Sequence, residues 1–478
     1  STLNYGAEGT YSDGAVQDVT DQVAWHSSDV SIATIDGNGK ATGLAKGNVT
    51  VRASLDGIYL TDSLIITAQG TVVTWGNSSD GGNSSAVQPQ LTNVQAIYST
   101  GTAFAALKQD GSVVTWGGRN NGGDSSAVQS QLTNVQAIYS ANSAFAALKQ
   151  DGSVVTWGSD GFGGDSSAVQ SQLTNVQAIY STNGAFAALK QDGSVVTWGD
   201  SIRGGDSSAV QSQLTNVKAI YSTDYAFAAV KQDGSVVTWG SSDNGGDSSA
   251  VQSQLANVQA IYSNNYAYAA VKQDGSVVTW GDSFYGGNSS AVQSQLTNVQ
   301  AIYSTSAAFA ALKQDGSVVT WGTANGGDSS AVQSQLTNVQ AIYSTDYAFA
   351  AVKQDGSVVT WGSSDNGGDS SAVQSQLTNV QAIYSTSGAF AALKQDGSVV
   401  TWGGSTYGGN SNTVQSQLTN VQTIYSTEYA FAALKQDGSV VTWGYSAFGG
   451  NSYAVRSQLI GVQAVYSARF AFAALLGE

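Results

Sequence analysis

The sequence predicts an all-β protein, a ten-bladed β-propeller preceded by a smaller β-rich segment, and three observations predict it. The string Thr-Trp-Gly recurs with its tryptophan at positions 75, 116, 157, 198, 239, 280, 321, 361, 402 and 443, a spacing of 41 residues broken once by a spacing of 40. The composition suits short strands joined by tight turns: 56 Gly, one Pro and 46 aromatic residues in 478. The two ends of the array carry complementary halves of one hairpin, which a closed arrangement would join and an open solenoid would have to cap.

Each unit follows the pattern WG-xxxx-GGDSSAVQSQLTNVQAIYS-xxx-AFAALKQDGSVVT. AFAALK and SVVTWG read as a hairpin across Gln-Asp-Gly, as at Gln232, Asp233 and Gly234, where glycine supplies a positive φ. VQAIYS is a third strand, rich in β-branched and aromatic residues. SAVQSQL is expected as a fourth strand, shorter and weaker, either outer or irregular. Four strands in about 41 residues is one propeller blade, and no single blade can bury both of its faces. The array begins at Gly70 with GTVVTWG and ends with AFAALLGE, so residues 71–75 are expected to pair with residues 471–475. Nine complete hairpins and this composite one make ten units over 70–478. The short unit has Thr323, Ala324 and Asn325 where the others have four residues.

The repeats resemble those of the regulator of chromosome condensation family, with the matching run VKAIYSTDYAFAAVKQDGSVVTWG over residues 217–240. The resemblance covers all ten units and implies a propeller. Its departures are an alanine, such as Ala226, at the family's histidine position, and Gly-Gly-Asp-Ser or Gly-Gly-Asn-Ser in place of Gly-Gln-Leu-Gly. The family's units are also longer and usually seven, so its nucleotide-exchange activity is not expected here.

Residues 1–69 lack the repeat, and turn signals punctuate their strands every 8–12 residues. Residues 11–14 (Tyr-Ser-Asp-Gly), Val23-Ala24-Trp25, Ser27-Ser28-Asp29, Ile32-Ala33-Thr34 and Gly43-Leu44-Ala45 with Gly47 resemble the group 2 bacterial immunoglobulin-like domain. That resemblance implies a β-sandwich in a bacterial surface or secreted protein. Only ten residues precede Tyr11 and the chain opens on Ser1 rather than Met, so a trimmed N-terminus and further domains of a longer chain are expected.

Charge and composition narrow the function. Thirty-three acidic residues against 17 basic ones give a net charge of −16, which repels nucleic-acid phosphates. There is no Cys, no Met and a single His, so thiolate sites and Cys nucleophiles are excluded. No apolar run reaches the roughly 18–20 residues that cross a bilayer. The repeated acidic residues occupy equivalent positions, whereas a catalytic pair needs two different environments. No enzyme activity, cofactor or metal is therefore expected. Gly-Gly-Asp-Ser-Ser reads as an Asx-capped turn, because one carboxylate per loop is a poor start for a cation wanting six to eight oxygens. The repeated tryptophans read as core between blades, and His26 as a surface or edge-strand residue.

Two segments vary between units, one after Thr-Trp-Gly and one after Ile-Tyr-Ser. In an up-and-down blade both loops emerge on one face, and the constant Gln-Asp-Gly and Gln-Leu-Thr-Asn turns emerge on the other. The variable positions are rich in Tyr, Phe, Ser, Asn, Asp and Gly, the mixture that antibody-like paratopes use. Candidate ligand-binding residues are Arg119, Phe162, Arg203, Tyr225, Tyr266, Phe284, Tyr285, Tyr347, Tyr407, Tyr429, Tyr445, Phe448, Arg469 and Phe470, with their side chains expected in solvent. The sequence thus points to a surface or secreted adhesin whose partner is a glycan or protein on another cell or a phage. A spacer or assembly module with no ligand is the rival reading.

Overall fold

The computed structural model describes residues 2–10, 16–30, 32–43, 47–55, 58–66 and 70–477. The Tyr-Ser-Asp-Gly motif at 11–14, and Leu44 and Ala45 of the Gly-Leu-Ala motif, lie outside the described residues.

The N-terminal segment contributes eight short strands: β1 (Thr2–Asn4), β2 (Glu8–Thr10), β3 (Val16–Asp18), β4 (Ala24–Ser27), β5 (Ala33–Ile35), β6 (Lys40–Gly43), β7 (Gly47–Leu55) and β8 (Ile58–Ile66). They pair in the orders β1-β6-β5, β2-β3 and β4-β7-β8. Two strands, β1 and β2, thus precede the Tyr-Ser-Asp-Gly motif. Ala33, Ala41, Val49 and Val51 are buried. The indole N–H of Trp25 donates to the Thr20 carbonyl at 3.0 Å, which satisfies its one polar atom. His26 is exposed on the edge strand β4.

Residues 70–477 form ten three-stranded antiparallel sheets. In a representative unit the inner strand is Val217–Ser222, the middle strand Ala226–Lys231 and the outer strand Val236–Gly240. The hairpin between middle and outer strands is fixed by its turn. Gly234 takes a φ of 78°, and the Asp233 carboxylate accepts from the Ser235 backbone N–H at 2.9 Å and hydroxyl at 2.6 Å. The tenth sheet draws on both ends of the array. Its strands are Val462–Ser467, Ala471–Leu476 and Val72–Gly76, with Ala471 opposite Gly76, Phe472 opposite Trp75 and Leu475 opposite Val72.

The expected fourth strand is absent from every unit. SAVQSQL instead forms a strap with a 3-10 turn, as at Gln211–Gln213. The reason lies in its side chains. Gln211 donates its amide to the Val195 carbonyl on the outer strand at 3.0 Å and accepts from the Ser207 hydroxyl at 2.8 Å. Ser207 in turn bonds Thr197 at 2.9 Å. Side chains thus serve the edge that a fourth strand's backbone would have served, and an unpaired edge is covered without being extended. The last unit departs from this pattern: Arg456 replaces the glutamine and donates to Gln417 at 3.1 Å.

Packing between sheets follows from the middle strand. In Ala-Phe-Ala-Ala the alanines are small enough to let neighbouring sheets approach, and the phenylalanine fills the gap. One cluster joins Ala226, Ala228, Val230 and Val236 of one sheet to Ile261, Tyr268, Ala270 and Trp280 of the next, with Leu255 of the intervening strap inserted between them. Each fully buried aromatic or aliphatic side chain contributes about 1.5–3 kcal/mol. Each repeated tryptophan stacks on the aromatic residue opposite it, phenylalanine in nine units and Tyr268 in the other, as Trp239 does on Phe227 at 5.2 Å, and donates across to the preceding unit, here to the Gly204 carbonyl at 3.0 Å. Gly204 is required twice over. Its φ is 95°, and a Cβ there would stand 2.6 Å from the Phe227 ring. Ten such clusters accompany the ten sheets, and one of them joins Val72, Ala471, Ala473 and Leu475 to Ile97, Phe104, Ala106 and Trp116.

Candidate functional site

Strand direction places both variable segments on one side. The backbone N–H of Asp282, which opens one variable segment, donates to the carbonyl of Tyr266, which ends the other, at 3.0 Å; Gly118 does the same to Thr102 at 2.7 Å. The constant turns meet on the opposite side, where Val258 donates to Gly234 at 3.1 Å and Gln273 to Asn257 at 3.0 Å. The asparagine that closes Gln-Leu-Thr-Asn, or Gln-Leu-Ala-Asn at Asn257, has a positive φ in nine units, 54° at Asn216, and Gly461 takes that place in the last one.

On the variable side a cavity of about 730 Å³ is lined by residues from all ten sheets. Its walls are the inner-strand serines and the first two residues of each following segment, among them Asn183, Asp224, Asp346, Glu428 and Arg469. Two sets of hydrogen bonds run around it. Inner-strand serines donate to the preceding inner strand, as Ser222 does to the Ser181 carbonyl at 2.7 Å, and Ser99 makes the same bond to Ser467. Above them the segments' middle residues are linked backbone to backbone. Asn183 donates to Asp224 at 3.1 Å, Glu428 to Arg469 at 3.2 Å and Arg469 to Gly101 at 3.0 Å. The link across Ser99 and Gly101 therefore has the form of the internal links.

All the predicted aromatic residues but Tyr347 are brought together in two stacks rather than spread singly in solvent, and Tyr347 stands alone and exposed. In the first, Tyr225 stacks on Tyr266 at 5.8 Å, Tyr266 meets Tyr285 at 4.4 Å, and Phe284 meets Tyr285 edge-on at 5.2 Å. Arg203 lies over Phe162 at 5.3 Å and over Tyr225 at 5.4 Å, which extends the stack by one more unit. In the second, Tyr407 stacks on Tyr429 at 4.9 Å, Tyr429 packs against Phe448 and Phe470, and Phe448 meets Phe470 at 4.5 Å. Tyr445 joins it through Phe448 at 4.8 Å, and Arg469 lies over Phe470 at 5.2 Å. Most of these rings are half-buried, which corrects the expectation that they stand in solvent. Phe284 is 68% exposed, Tyr445 43% and Tyr347 41%.

All three candidate arginines are already paired with carboxylates: Arg119 with Asp124 at 3.0 Å, Arg203 with Asp200 at 2.8 Å and Arg469 with Glu428 at 2.7 Å. Asp224 and Asp346 are different. Burial pushes the carboxyl pKa of both upward, and hydrogen bonds from Asn183 and Ser387 respectively oppose that shift only in part. Sequence reasoning missed these two, and also Ile202, which is 71% exposed at the tip of its segment. The usable signal was position: the middle residue of the second segment in every unit, and the third residue of the first. Asp200 and Asp282 hold those tips by accepting from the backbone N–H of Ile202 and Phe284, each at 2.9 Å.

The Gly-Gly-Asp-Ser-Ser carboxylates cap their own turns. Asp247 accepts from the Ser249 backbone N–H at 2.8 Å, and this bond lowers its pKa. Among the described residues no group of three or more His, Asp or Glu side chains is placed to hold a metal ion. None of the described helices is long and apolar enough to cross a membrane.

The architecture is thus all-β, a repeat of three-stranded sheets of β-propeller type following a segment of immunoglobulin-like strands. Residues 7–57 match the family described as bacterial Ig-like domain (group 2). Over 73 residues the chain is 37% identical to Ice-binding protein 1 of Shewanella frigidimarina, a stretch that is 14% of this chain and spans only 8% of that protein. Among solved structures, Prp20p of Saccharomyces cerevisiae is similar at 14% identity and a TM-score of 0.37, covering 86% of this chain and 93% of that one. The computationally designed Ika8 protein is similar at 15% identity and a TM-score of 0.29, covering 70% of this chain and 99% of its own.

Proposed function

We propose that residues 70–477 close into a ten-bladed propeller and that its variable rim is the recognition surface of a bacterial surface or secreted protein. Closure is supported by number: ten sheets with ten packed clusters between them leave no sheet with a free face. The observation that carries the recognition reading is the one-sided variation. Both variable segments share a face and meet one another there, while the opposite face repeats the same turns and hydrogen bonds. Tolerated drift would mark both faces alike, and a plain spacer has no use for a rim that differs from unit to unit. The ligand class is a glycan or a protein borne by another cell or a phage. No catalytic, cofactor or metal role is assigned, and no nucleic-acid partner.

The test is a screen of the full chain against arrays of glycans and of bacterial surface proteins, repeated with a Tyr347→Ser/Tyr445→Ser variant and with a Lys231→Ala/Lys272→Ala variant of the opposite face. Saturable binding that the rim variant weakens, and the lysine variant leaves unchanged, is the expected result. Binding affected equally by both, or no binding at all, would remove the recognition reading in favour of a spacer.

A further inference from the structure

We propose that the rim's partner is a folded protein surface that is basic and apolar, seated over the axial cavity, rather than a glycan; the proposal rests on the recognition reading above.

The first argument is what the aromatic side chains have left to offer. A sugar is gripped by the open face of an aromatic ring. Here Tyr225, Tyr266 and Tyr285 spend faces on one another at 4.4–5.8 Å, and Tyr407, Tyr429, Phe448 and Phe470 do likewise at 4.5–5.8 Å. Faces spent in this way are not available to a ligand, and beside the stacks stand protruding apolar tips. Ile202 at 71% and Phe284 at 68% exposure stand on first segments two units apart. An exposed isoleucine has no use in holding a hydroxyl-covered ligand, and neither tip belongs to a packed cluster between sheets. Paired with an apolar patch on a second protein, such tips become the buried anchors that dominate association.

The second argument is charge. The variable segments hold nine carboxylates and three guanidiniums, a net charge of −6, whereas on the opposite face nine lysines are each followed two residues later by an aspartate. The protein's field is therefore one-sided. The three rim arginines are already committed to carboxylates at 2.7–3.0 Å, so they add little attraction for an anion. At the centre, Asp224 and Asp346 line the cavity and make no ion pair among the described residues. A carboxylate partly withdrawn from water, whose nearest guanidinium (Arg203 for Asp224, Arg469 for Asp346) acts on it without a direct ion pair, still favours an incoming ammonium or guanidinium, and the surrounding negative field speeds the approach of a cationic partner. A lysine or arginine of the partner fits the cavity, with its neighbours resting on the apolar tips.

The experiment uses the full chain as bait for a phage-displayed library of one small three-helix scaffold with a single randomised face, run beside a glycan array. Selected scaffolds are expected to be enriched in Lys or Arg together with large apolar residues. They should bind an Ile202→Ser/Phe284→Ser variant and an Asp224→Asn/Asp346→Asn variant at least tenfold more weakly, and lose affinity as salt rises. The exposed tips and the isosteric Asn changes leave the fold intact, which a melting curve verifies. Rim-dependent scaffolds with no cationic excess would overturn the proposal. So would glycan binding that the Ile202→Ser/Phe284→Ser variant abolishes, although the recognition reading would then stand. If neither library nor array yields rim-dependent binding, both fall together.

Discussion

Replacing Trp75 with phenylalanine tests closure at a single side chain. Trp75 is 4% exposed, stacks on Phe472 at 5.1 Å and donates its indole N–H to the Gly449 carbonyl at 3.1 Å. Trp239, deep within the array, is likewise 4% exposed, stacks on Phe227 at 5.2 Å and donates to Gly204 at 3.0 Å. Losing the bond leaves a buried carbonyl unsatisfied, which costs about 1–3 kcal/mol. The lost apolar volume adds about 1–2 kcal/mol. Each substitution should therefore destabilise by about 2–5 kcal/mol, and the two should agree within about 1 kcal/mol. Urea unfolding followed by far-UV circular dichroism reads both through the midpoint and slope. In an array whose ends do not meet, Trp75 would stand at an open face, and its replacement would cost no more than about 0.5 kcal/mol. A Trp75→Phe midpoint equal to that of the unaltered protein, beside a lowered one for Trp239→Phe, would refute closure.

Acid should destabilise the array. Fifteen turn aspartates of the repeats have lowered pKa values, the Gln-Asp-Gly ones chiefly through side-chain hydrogen bonds from serine, and only three carboxyls are raised. A lowered pKa contributes stability above the ordinary aspartate value of about 3.9 that is lost as pH falls through the folded value. Melting temperature should thus be flat from about pH 5 to 8 and drop below about 4; a rise there would reverse the sign. Asn298, at a φ of 54°, should accept glycine within about 0.5 kcal/mol and lose more than about 1 kcal/mol as valine, measured by denaturant melts. Tyr268→Phe should cost only about 0.5–1.5 kcal/mol. Its hydroxyl bonds Ala226 at 2.6 Å and Thr223 at 3.0 Å, but those two groups also bond each other at 3.0 Å. A loss above 3 kcal/mol would show that the hydroxyl organises this interface.

Much of the fold was legible because each unit repeats a local rule. Gln-Asp-Gly announces its hairpin through a glycine φ and an aspartate cap, and the fixed tryptophan announces a buried contact. The strap was not legible for a physical reason. Ser-Ala-Val-Gln-Ser-Gln-Leu is short and carries no clean period, and Gln211 and Ser207 spend their side chains on the outer strand and leave the backbone free to coil. The site was legible by face but not by texture. Tyr225 and Tyr266 are 41 positions apart, one unit, and only adjacency of units turns that spacing into a stack. Asp224 and Asp346 were hidden because nothing in their local sequence marks the axis they line.

The composite sheet also sets a timetable for synthesis. Ala471 lies opposite Gly76, so at roughly 5–20 residues per second the Val72–Gly76 strand waits about 20–80 s for its partner on a translating ribosome. Throughout that interval the nascent array carries an open strand edge at its beginning and another at its growing end, both able to pair with a neighbouring chain. Pairing becomes possible only once Ala471–Leu476 has emerged, so an array lacking that strand keeps both edges open to such pairing.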